Sequence, residues 1–275
     1  QSRHSIFNRY IKKIPFVFLQ HGVIALKRVD NFYGKGKKGG CNLFVVSTGK
    51  EKQTIIDNFG YEPDEVINTG LPRWDVLQDK SQGTREILIM PTWRNWLDSV
   101  PDRDFEESDY FQYYMGLLNS ERLSQILEKY DLQINFYLHA KFQDYADNFK
   151  SISSRIHLIS FGEVAVNEML MRCRMLITDY SSVCWDILYQ NKPSLFYQFD
   201  IEKYNEAHGS YIDMETELFG DRAETEKQLL DFLEETVQND FQLKPEYQKM
   251  RSEYLQFKDH DHSKHICEEI KKRFF

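Results

Sequence analysis

The chain is poor in cysteine, and the spacing of the few cysteines argues against a cysteine-based metal site. Only four occur in 275 residues, and no two of them form a CxxC pair. A structural zinc site is therefore not expected. We interpret them as reduced structural thiols of a cytosolic protein. They are Cys41, Cys173, Cys184 and Cys267.

Long apolar runs are also absent. No run approaches the roughly 20 residues of a membrane-spanning helix, and no signal peptide opens the chain. Gln1 is not an initiator methionine, so we expect a fragment or a processed chain. Hydrophobic residues still make up 41% of the sequence and aromatic residues 15%, which predicts a substantial core in one large or two ordinary α/β domains.

Two common ligand motifs are missing as well. The sequence contains neither a GxxxxGK[ST] phosphate loop nor an HExxH metal motif. Gly34–Gly40 is rich in glycine and lysine but does not open a helix after a strand, so we interpret it as a mobile loop able to meet an anionic acceptor. Asp259–His262 is a weak metal candidate and is more typical of a turn between helices. We predict no metal and no cofactor.

The charge that is present is distributed unevenly. The net charge is −8, but residues 1–50 carry ten basic residues and one acid, a balance of +9, and the remainder carries −17. A basic end of this kind favours an anionic partner, either a phosphate polymer or an acidic membrane face, over a nucleic acid. A solvated basic surface is the alternative. The basic residues are Arg3, Arg9, Lys12, Lys13, Lys27, Arg28, Lys35, Lys37, Lys38 and Lys50.

Strand and helix patterns alternate along the chain, which predicts α/β layers around mostly parallel sheets. Polar clusters follow several of the apolar runs. We place a domain boundary in the polar stretch 78–85 and predict domains at 1–78 and 79–275, the second with a helical, charged tail. The predicted strands are 16–19, 42–46, 65–68, 86–90, 133–138, 156–159, 175–178 and 194–197.

The stretch LITDYSSV at 176–183 is the most informative of these polar clusters. A buried strand ends at Asp179, and Ser181 and Ser182 open an amphipathic stretch. A strand that turns through hydroxyl residues into a helix can bind an anion, because the first helical N–H groups lack partners and the dipole is positive there. The alternative is an ordinary serine N-cap.

Two histidines follow predicted strands in the two halves of the chain. His21 precedes Gly22 after the first strand, and His139 follows the strand 133–138. Histidine gains or loses a proton near neutral pH, which suits a general base. A lone histidine is more often structural, but two at corresponding positions are a more specific signal than one.

Phosphate-binding candidates follow two other strands. Thr92 offers a hydroxyl group and Arg94 a planar guanidinium to phosphate oxygens. Trp93, between them, either stacks on a base or fills the core. Arg73 could reach a diphosphate or could pair with Asp75.

Together these motifs resemble the CDP-glycerol glycerophosphotransferase family, which includes teichoic acid polymerases and related capsule enzymes. The resemblance extends from about residue 16 to residue 213. The matching positions are 20–22 (QHG) with Lys27, 70–73 (GLPR) with Asp75, 91–94 (PTWR), 138–139, 176–183 with Asp186, 192–193, 196–197, Asp200, 203–204, Gly209, Tyr211 and Asp213.

The resemblance implies a GT-B fold, in which two Rossmann-like domains face each other across a cleft, the first of them truncated in this chain. It implies transfer of glycerol phosphate or a similar polyol phosphate from a CDP-linked donor, with release of CMP. His21 would be the general base, and His139 would bind or neutralise the donor diphosphate. The implied donor site comprises Gly22, Arg73, Thr92, Trp93, Arg94, Ser181, Ser182 and Asp186, and the implied acceptor side comprises Lys27, Lys35, Lys37 and Lys38.

The family pattern is not reproduced throughout. Its usual Trp-His-Gly-Thr-Pro-Leu-Lys appears as QHGVIALK at 20–27, which lacks Thr-Pro and adds one residue. The expected partners are CDP-glycerol or CDP-ribitol, an anionic polyol-phosphate or capsule acceptor, and the inner face of a bacterial membrane. Two other functions stay open: a GT-B enzyme that uses a nucleotide sugar, and a non-catalytic polyanion-binding module.

Overall fold

The computed structural model describes residues 14–275, which form two compact units. Residues up to Leu77 and from Ser252 belong to the first unit, and Gln78–Arg251 form the second. Four of the basic residues counted above lie outside the described residues: Arg3, Arg9, Lys12 and Lys13.

The first unit is built on a three-stranded parallel sheet. Its strands are β1 (Val17–Phe18), β2 (Leu43–Val46) and β3 (Val66–Asn68), in the order β1-β2-β3. Every residue of β2 is buried, as expected of a central parallel strand covered on both faces. Between the strands lie the short helix α1 (Asp30–Tyr33) and the longer helix α2 (Gly49–Phe59).

Helix α2 begins and ends at residues suited to those positions. The hydroxyl group of Thr48 accepts a hydrogen bond from the Glu51 amide at 2.9 Å, a side-chain N-cap. The helix ends at Gly60, whose φ of 75° lies in the left-handed region that glycine adopts without strain.

The second unit contains a six-stranded parallel sheet. The strands are ordered β6-β5-β4-β7-β8-β9. They are β4 (Glu86–Ile89), β5 (Gln133–Tyr137), β6 (Ile156–Ile159), β7 (Met175–Thr178), β8 (Ser194–Tyr197) and β9 (Asp221–Ala223). Because the strand order reverses between the neighbouring strands β4 and β7, their carboxyl ends mark a topological switch point, where sheets of this kind bind ligands.

Helices cover the second sheet and bury a core rich in aromatic residues. One contact within this core is the close stack of Phe105 on Tyr145, with ring centroids 4.0 Å apart. The helices are α3 (Asp102–Glu106), α4 (Asp109–Leu118), α5 (Glu121–Lys129), α6 (Val166–Arg172), α7 (Cys184–Tyr189), α8 (Ile201–Ala207), α9 (Glu226–Gln238) and α10 (Pro245–Tyr254).

The carboxyl-terminal helix α11 (His262–Phe274) returns to the first unit. Its Ile266 joins a small core with Leu43, Val45 and Ile67 of the first sheet. This corrects the prediction that 79–275 form one domain, because the apolar face of α11 packs on the sheet of residues 14–77.

Asp75 fixes the start of that helix. Its carboxylate accepts hydrogen bonds from the amides of His262 at 2.7 Å and Ser263 at 2.9 Å, where the positive end of the helix dipole favours a negative charge. The ring of His262 is buried and hydrogen-bonded through Nδ1 to the Thr69 carbonyl at 2.8 Å. Residues 259–262 therefore lead into a packed helix. Within the described residues no three His, Cys, Asp or Glu side chains form a metal site.

The structure contains all eight predicted strands, with ends that differ by no more than two residues. The short strand β9 is an addition to the predicted set. All four cysteines are free thiols, and Cys173 and Cys184 are buried. Among residues 14–275, no helix has both the length and the apolar character needed to cross a membrane.

Candidate functional site

His21 lies on the loop that follows β1 in the first unit. The preceding residue, Gln20, has a φ of 65°, which turns the chain sharply out of the strand, and its side-chain Nε2 donates to the Val45 carbonyl at 2.5 Å. The exposed ring of His21 packs edge-on against Phe18, and its Nε2 is hydrogen-bonded to the hydroxyl of Tyr33 at 2.6 Å. An accessible imidazole is thus held in a defined orientation.

Two further side chains hold the backbone of this loop. Arg73, on the turn after β3, donates to the carbonyl oxygen of His21. The buried carboxylate of Glu51 accepts from the Ile24 amide at 2.6 Å and from the Ser47 amide at 2.7 Å. Burial raises the pKa of Glu51, and the backbone hydrogen bonds counter this in part. The structure therefore brings Arg73 and His21 together, as two of the predicted site residues.

The predicted acceptor-side lysines differ in their surroundings. Lys35 pairs with Glu65 at 2.7 Å, and this hydrogen bond raises the pKa of Lys35. Lys37 and Lys38 are exposed on the glycine-rich loop. Lys27 is half-buried, and the loss of solvation lowers its pKa.

In the second unit, the segments that follow β4 and β7 are joined at the switch point. The Thr92 amide donates to Asp179 Oδ1 at 2.8 Å, and so does the Tyr180 amide at 2.6 Å. The Thr92 hydroxyl oxygen is enclosed and has no hydrogen-bond partner within the part of the chain that the structure describes. A buried hydroxyl of this kind is well placed to bind a ligand, because an unmet hydrogen bond is costly.

Arg94 is buried, although the sequence predicts that its guanidinium binds phosphate. Its side chain is 0% exposed, with Nη2 2.9 Å from Asp179 Oδ2 and Nε 2.7 Å from Asp200 Oδ2, and Nη1 donates to the Thr92 carbonyl at 2.7 Å. The prediction that its guanidinium contacts phosphate is corrected: its donors bind two carboxylates and a carbonyl of the protein itself. A buried guanidinium requires such partners.

Aromatic rings surround this ion cluster. The Arg94 guanidinium lies 4.8 Å from the ring centre of Tyr180, which stacks on Tyr204 at 3.6 Å. Burial alone would lower the pKa of Arg94, but Asp179 and Asp200 raise it above its usual value. The cation therefore stays charged, and the cluster fixes the segments after β4, β7 and β8 relative to one another.

The serines that follow β7 do not cap a helix with their side chains. Helix α7 begins at Cys184, and its first amides, those of Cys184 and Trp185, are bonded to the carbonyls of Ser181 and Ser182 at 3.2 Å each. Neither those amides nor Asp186, which is 1% exposed on α7, is presented to a ligand. This corrects the prediction that the first helical amides and Asp186 bind an anion, and leaves the partly exposed Ser181 and Ser182 as the candidates at this turn.

His139 follows β5 and contacts Trp93. The two rings stack with centroids 6.3 Å apart, so Trp93 is a partly buried packing surface for the histidine. The Lys141 amide donates to His139 Nδ1 at 3.2 Å. A neutral His139 therefore carries its proton on Nε2, which makes that atom a hydrogen-bond donor suited to a phosphate oxygen.

The sequence did not predict four residues that hold the site residues in place: Tyr33 and Glu51, which bind His21 and its loop, and Asp179 and Asp200, which bind Arg94. The two aspartates were recognised as motif positions without a role. An arginine two residues beyond Thr92 at a strand end was a signal that a carboxylate would be needed if the arginine were buried. Tyr33 and Glu51 left no comparable signal, because a tyrosine before a glycine-rich loop and a glutamate in a first helical turn are common.

Comparisons with known proteins give consistent matches. The sequence profile of the family described as "CDP-Glycerol:Poly(glycerophosphate) glycerophosphotransferase" matches residues 3–272. The minor teichoic acid biosynthesis protein GgaB of Bacillus subtilis (strain 168) is 29% identical over 281 residues, covering 96% of this chain and 30% of GgaB. The teichoic acid ribitol-phosphate polymerase TarK of Staphylococcus aureus (strain NCTC 8325 / PS 47) is 28% identical over 244 residues, covering 78% and 44%.

The chain thus spans less than half the length of these two relatives. Among solved structures, the wall teichoic acid polymerase TagF superposes with a TM-score of 0.67 at 19% identity, covering 93% of this chain and 68% of that chain. At this identity the likeness shows a shared fold. It confirms the predicted α/β class with parallel sheets.

Proposed function

Because the chain belongs to the CDP-Glycerol:Poly(glycerophosphate) glycerophosphotransferase family, we propose that it transfers a polyol phosphate from a CDP-linked donor to a hydroxyl group of an anionic acceptor polymer. The acceptor oxygen attacks the phosphorus that bears the polyol. The bond from that phosphorus to the bridging oxygen breaks, and CMP leaves with the bridging oxygen. The proton of the acceptor hydroxyl passes to His21.

The observation that carries the proposal is the polar surface at the switch point of the second unit. The Thr92 hydroxyl has no hydrogen-bond partner among the described residues, and Ser181 and Ser182, both partly exposed, carry two more hydroxyl groups at the neighbouring strand end. These groups suit a diphosphate, whose oxygens need several donors. A TagF structure soaked with CDPG, 18% identical to this chain, supports a CDP-linked donor.

The remaining groups take roles that follow from their positions. His139 donates from Nε2 to the donor diphosphate, beside Trp93. Arg94 acts from the interior, where it holds the binding segments in place, and Asp186 is buried beside them on α7. Arg73 holds the His21 loop, at whose start Gly22 lets the backbone approach a ligand closely. Positioning and charge stabilisation of this kind dominate catalysis of phosphoryl transfer.

We propose that the acceptor is a teichoic acid or capsule polymer at the cytoplasmic face of a bacterial membrane. The exposed Lys37 and Lys38 offer positive charge to a polyanion, and residues 1–50 carry a balance of +9. Sedimentation with anionic and with neutral vesicles tests the membrane contact, and equal binding to both would contradict it. Relatives named for ribitol phosphate and for glycerol phosphate match at similar identity, so either polyol suits the donor.

The test is CMP release by full-length protein supplied with CDP-glycerol, CDP-ribitol or a UDP-sugar, with and without a polyol-phosphate acceptor. We expect acceptor-dependent CMP from one CDP-polyol, and a loss of about 10²- to 10⁴-fold in His21→Ala. His157→Ala is the matched control, because His157 is an exposed histidine on β6. CMP from neither CDP donor, or UDP-sugar turnover alone, would refute the proposal.

A further inference from the structure

Tyr33 and His21 contact each other in the first unit, and both contact Phe18. The Tyr33 hydroxyl lies 2.6 Å from His21 Nε2, and the rings of both residues contact Phe18: Tyr33 stacks on it at 4.8 Å, and His21 meets it edge-on at 5.4 Å. The histidine ring is therefore held by a hydrogen bond on one side and by an aromatic face on another.

Tyr33 is itself held firmly. Its carbonyl accepts a hydrogen bond from the Tyr61 hydroxyl at 3.0 Å, and Tyr61 in turn accepts from the Cys41 amide at 3.0 Å. Just beyond it, the Lys35 amide donates to the Phe59 carbonyl at 2.8 Å, which ties the chain to the end of α2. A group held in this way can impose an orientation on its partner, because it has little freedom to follow the partner's movement.

The hydrogen bond has two possible directions, with different consequences for a base. If the phenol donates to Nε2, the lone pair of that nitrogen is occupied and the proton of a neutral His21 resides on Nδ1. If Nε2–H donates to the phenol oxygen, Nδ1 keeps its lone pair and can take a proton. Only the second arrangement lets the ring act directly as a general base.

We propose that Tyr33 is the positioning residue of His21: its phenol oxygen accepts a hydrogen bond from Nε2–H, so that Nδ1 takes the proton of the acceptor hydroxyl. This inference rests on the proposed function for the role of the proton, and on the contacts above for the geometry. When Nδ1 is protonated, both ring nitrogens are donors, and the bond from Nε2 strengthens because it becomes charge-assisted. Burial raises the pKa of Tyr33, which keeps the phenol neutral throughout.

Few other groups compete for this role. Among the described residues, the titratable or charged side chains that contact His21 are those of Tyr33 on α1 and Arg73 on the turn after β3. Arg73 reaches the backbone carbonyl rather than the ring. Replacement of the tyrosine hydroxyl therefore removes the one polar side-chain contact of the imidazole within residues 14–275.

The first experiment needs no substrate. Protein labelled with ¹⁵N-histidine is titrated by long-range ¹H–¹⁵N correlation spectroscopy, with His21 assigned from the spectrum of His21→Asn. In Tyr33→Phe, which keeps the stack on Phe18, the midpoint of the His21 titration should move to lower pH, because an acceptor that favours the imidazolium is lost. A midpoint that moves to higher pH, or stays unchanged, would overturn the proposal.

Tyr61→Phe is the matched control. It removes the same group from the neighbouring tyrosine, which supports the Tyr33 backbone but does not touch His21. We expect this variant to lower the thermal midpoint and to leave the His21 titration in place. If Tyr61→Phe shifts the titration as much as Tyr33→Phe does, the effect is general loosening and the proposal fails.

The second experiment is kinetic. Tyr33→Phe should lower kcat about tenfold with little change in the donor KM, and should move the acidic limb of the pH–rate profile in the same direction as the spectroscopic midpoint. If the wild-type protein transfers polyol phosphate and Tyr33→Phe is equally active, the inference fails while the proposed function stands. If the wild type transfers nothing, the proposed function fails, and the sign of the spectroscopic shift still decides the direction of the hydrogen bond.

Discussion

His21 in the first unit and Arg94 in the second both follow a strand of a parallel sheet, but their surroundings are opposite. His21 is exposed and is held by a neutral hydroxyl and by contacts to its backbone. Arg94 is fully buried between Asp179 and Asp200, with aromatic rings around it. The comparison separates two tasks: a group that exchanges a proton needs access to substrate, whereas a group that holds several strand ends together acts best without water.

The largest effect is expected where an ion is removed from the buried cluster. Arg94→Leu leaves two carboxylates without their cation and should lower the free energy of unfolding of the second unit by about 3–5 kcal/mol. Urea denaturation followed by circular dichroism measures the loss. Arg103→Leu is the control, because Arg103 forms an exposed pair with Glu107 at 2.8 Å and should leave the urea midpoint in place. Equal urea midpoints for Arg94→Leu and Arg103→Leu would show that the buried ion cluster does not stabilise the second unit.

A smaller effect is expected from the buried carboxylate of the first unit. In Glu51→Gln the new Nε2 group, itself a donor, would face the backbone N–H of Ile24 or of Ser47, and neither donor would have an acceptor. The free energy of unfolding at neutral pH should therefore fall by about 1–3 kcal/mol. This loss should leave the second unit unaffected. A change confined to the urea transition of the second unit would contradict the assignment.

The same variant has a defined pH dependence. Burial raises the pKa of Glu51 in the folded state, so the folded chain binds a proton more readily than the unfolded chain does. Wild-type stability from this group is therefore complete below the unfolded pKa and is lost as pH rises through the folded pKa. The difference in unfolding free energy between wild type and Glu51→Gln should grow as the pH is lowered from 7.

The smallest effect on stability is expected at Thr92, and it should come with a clear effect on binding. Thr92→Val removes a hydroxyl that has no protein partner in the described residues, so the urea midpoint should stay the same or rise slightly. The KM for the CDP-linked donor should rise about 10- to 100-fold, the loss of one hydrogen bond to a charged group. An unchanged KM would show that the hydroxyl does not bind the donor.

The strands of both sheets could be predicted from the sequence because each is a short apolar run followed by polar or turn residues. The contact between Thr92 and Asp179 could not be predicted in the same way, because it depends on the pairing of β4 with β7, and the apolar runs do not specify the order of the strands. The complete burial of the Arg94 side chain could not be predicted. A guanidinium binds phosphate and carboxylate equally well, and its second partner, Asp200, lies 106 residues further along the chain.

The carboxyl-terminal helix α11 was assigned to the wrong unit for a related physical reason. Its amphipathic pattern predicts a helix but does not specify which sheet the helix covers. That choice depends on Asp75, which binds the start of α11 across 187 residues of sequence. Likewise, nothing local to Tyr33 indicates that its hydroxyl meets His21, because that contact depends on how tightly the loop after β1 turns.

The return of α11 to the first unit also affects the order in which the protein can fold during synthesis. Gln78–Arg251 are contiguous, so the second unit can complete its sheet as soon as the ribosome has released that segment. The first unit must wait, with Leu43, Val45 and Ile67 lacking their cover, until Ile266 emerges. For that interval the nascent chain exposes an apolar sheet face, a period in which chaperones would bind it and proteases would cut it.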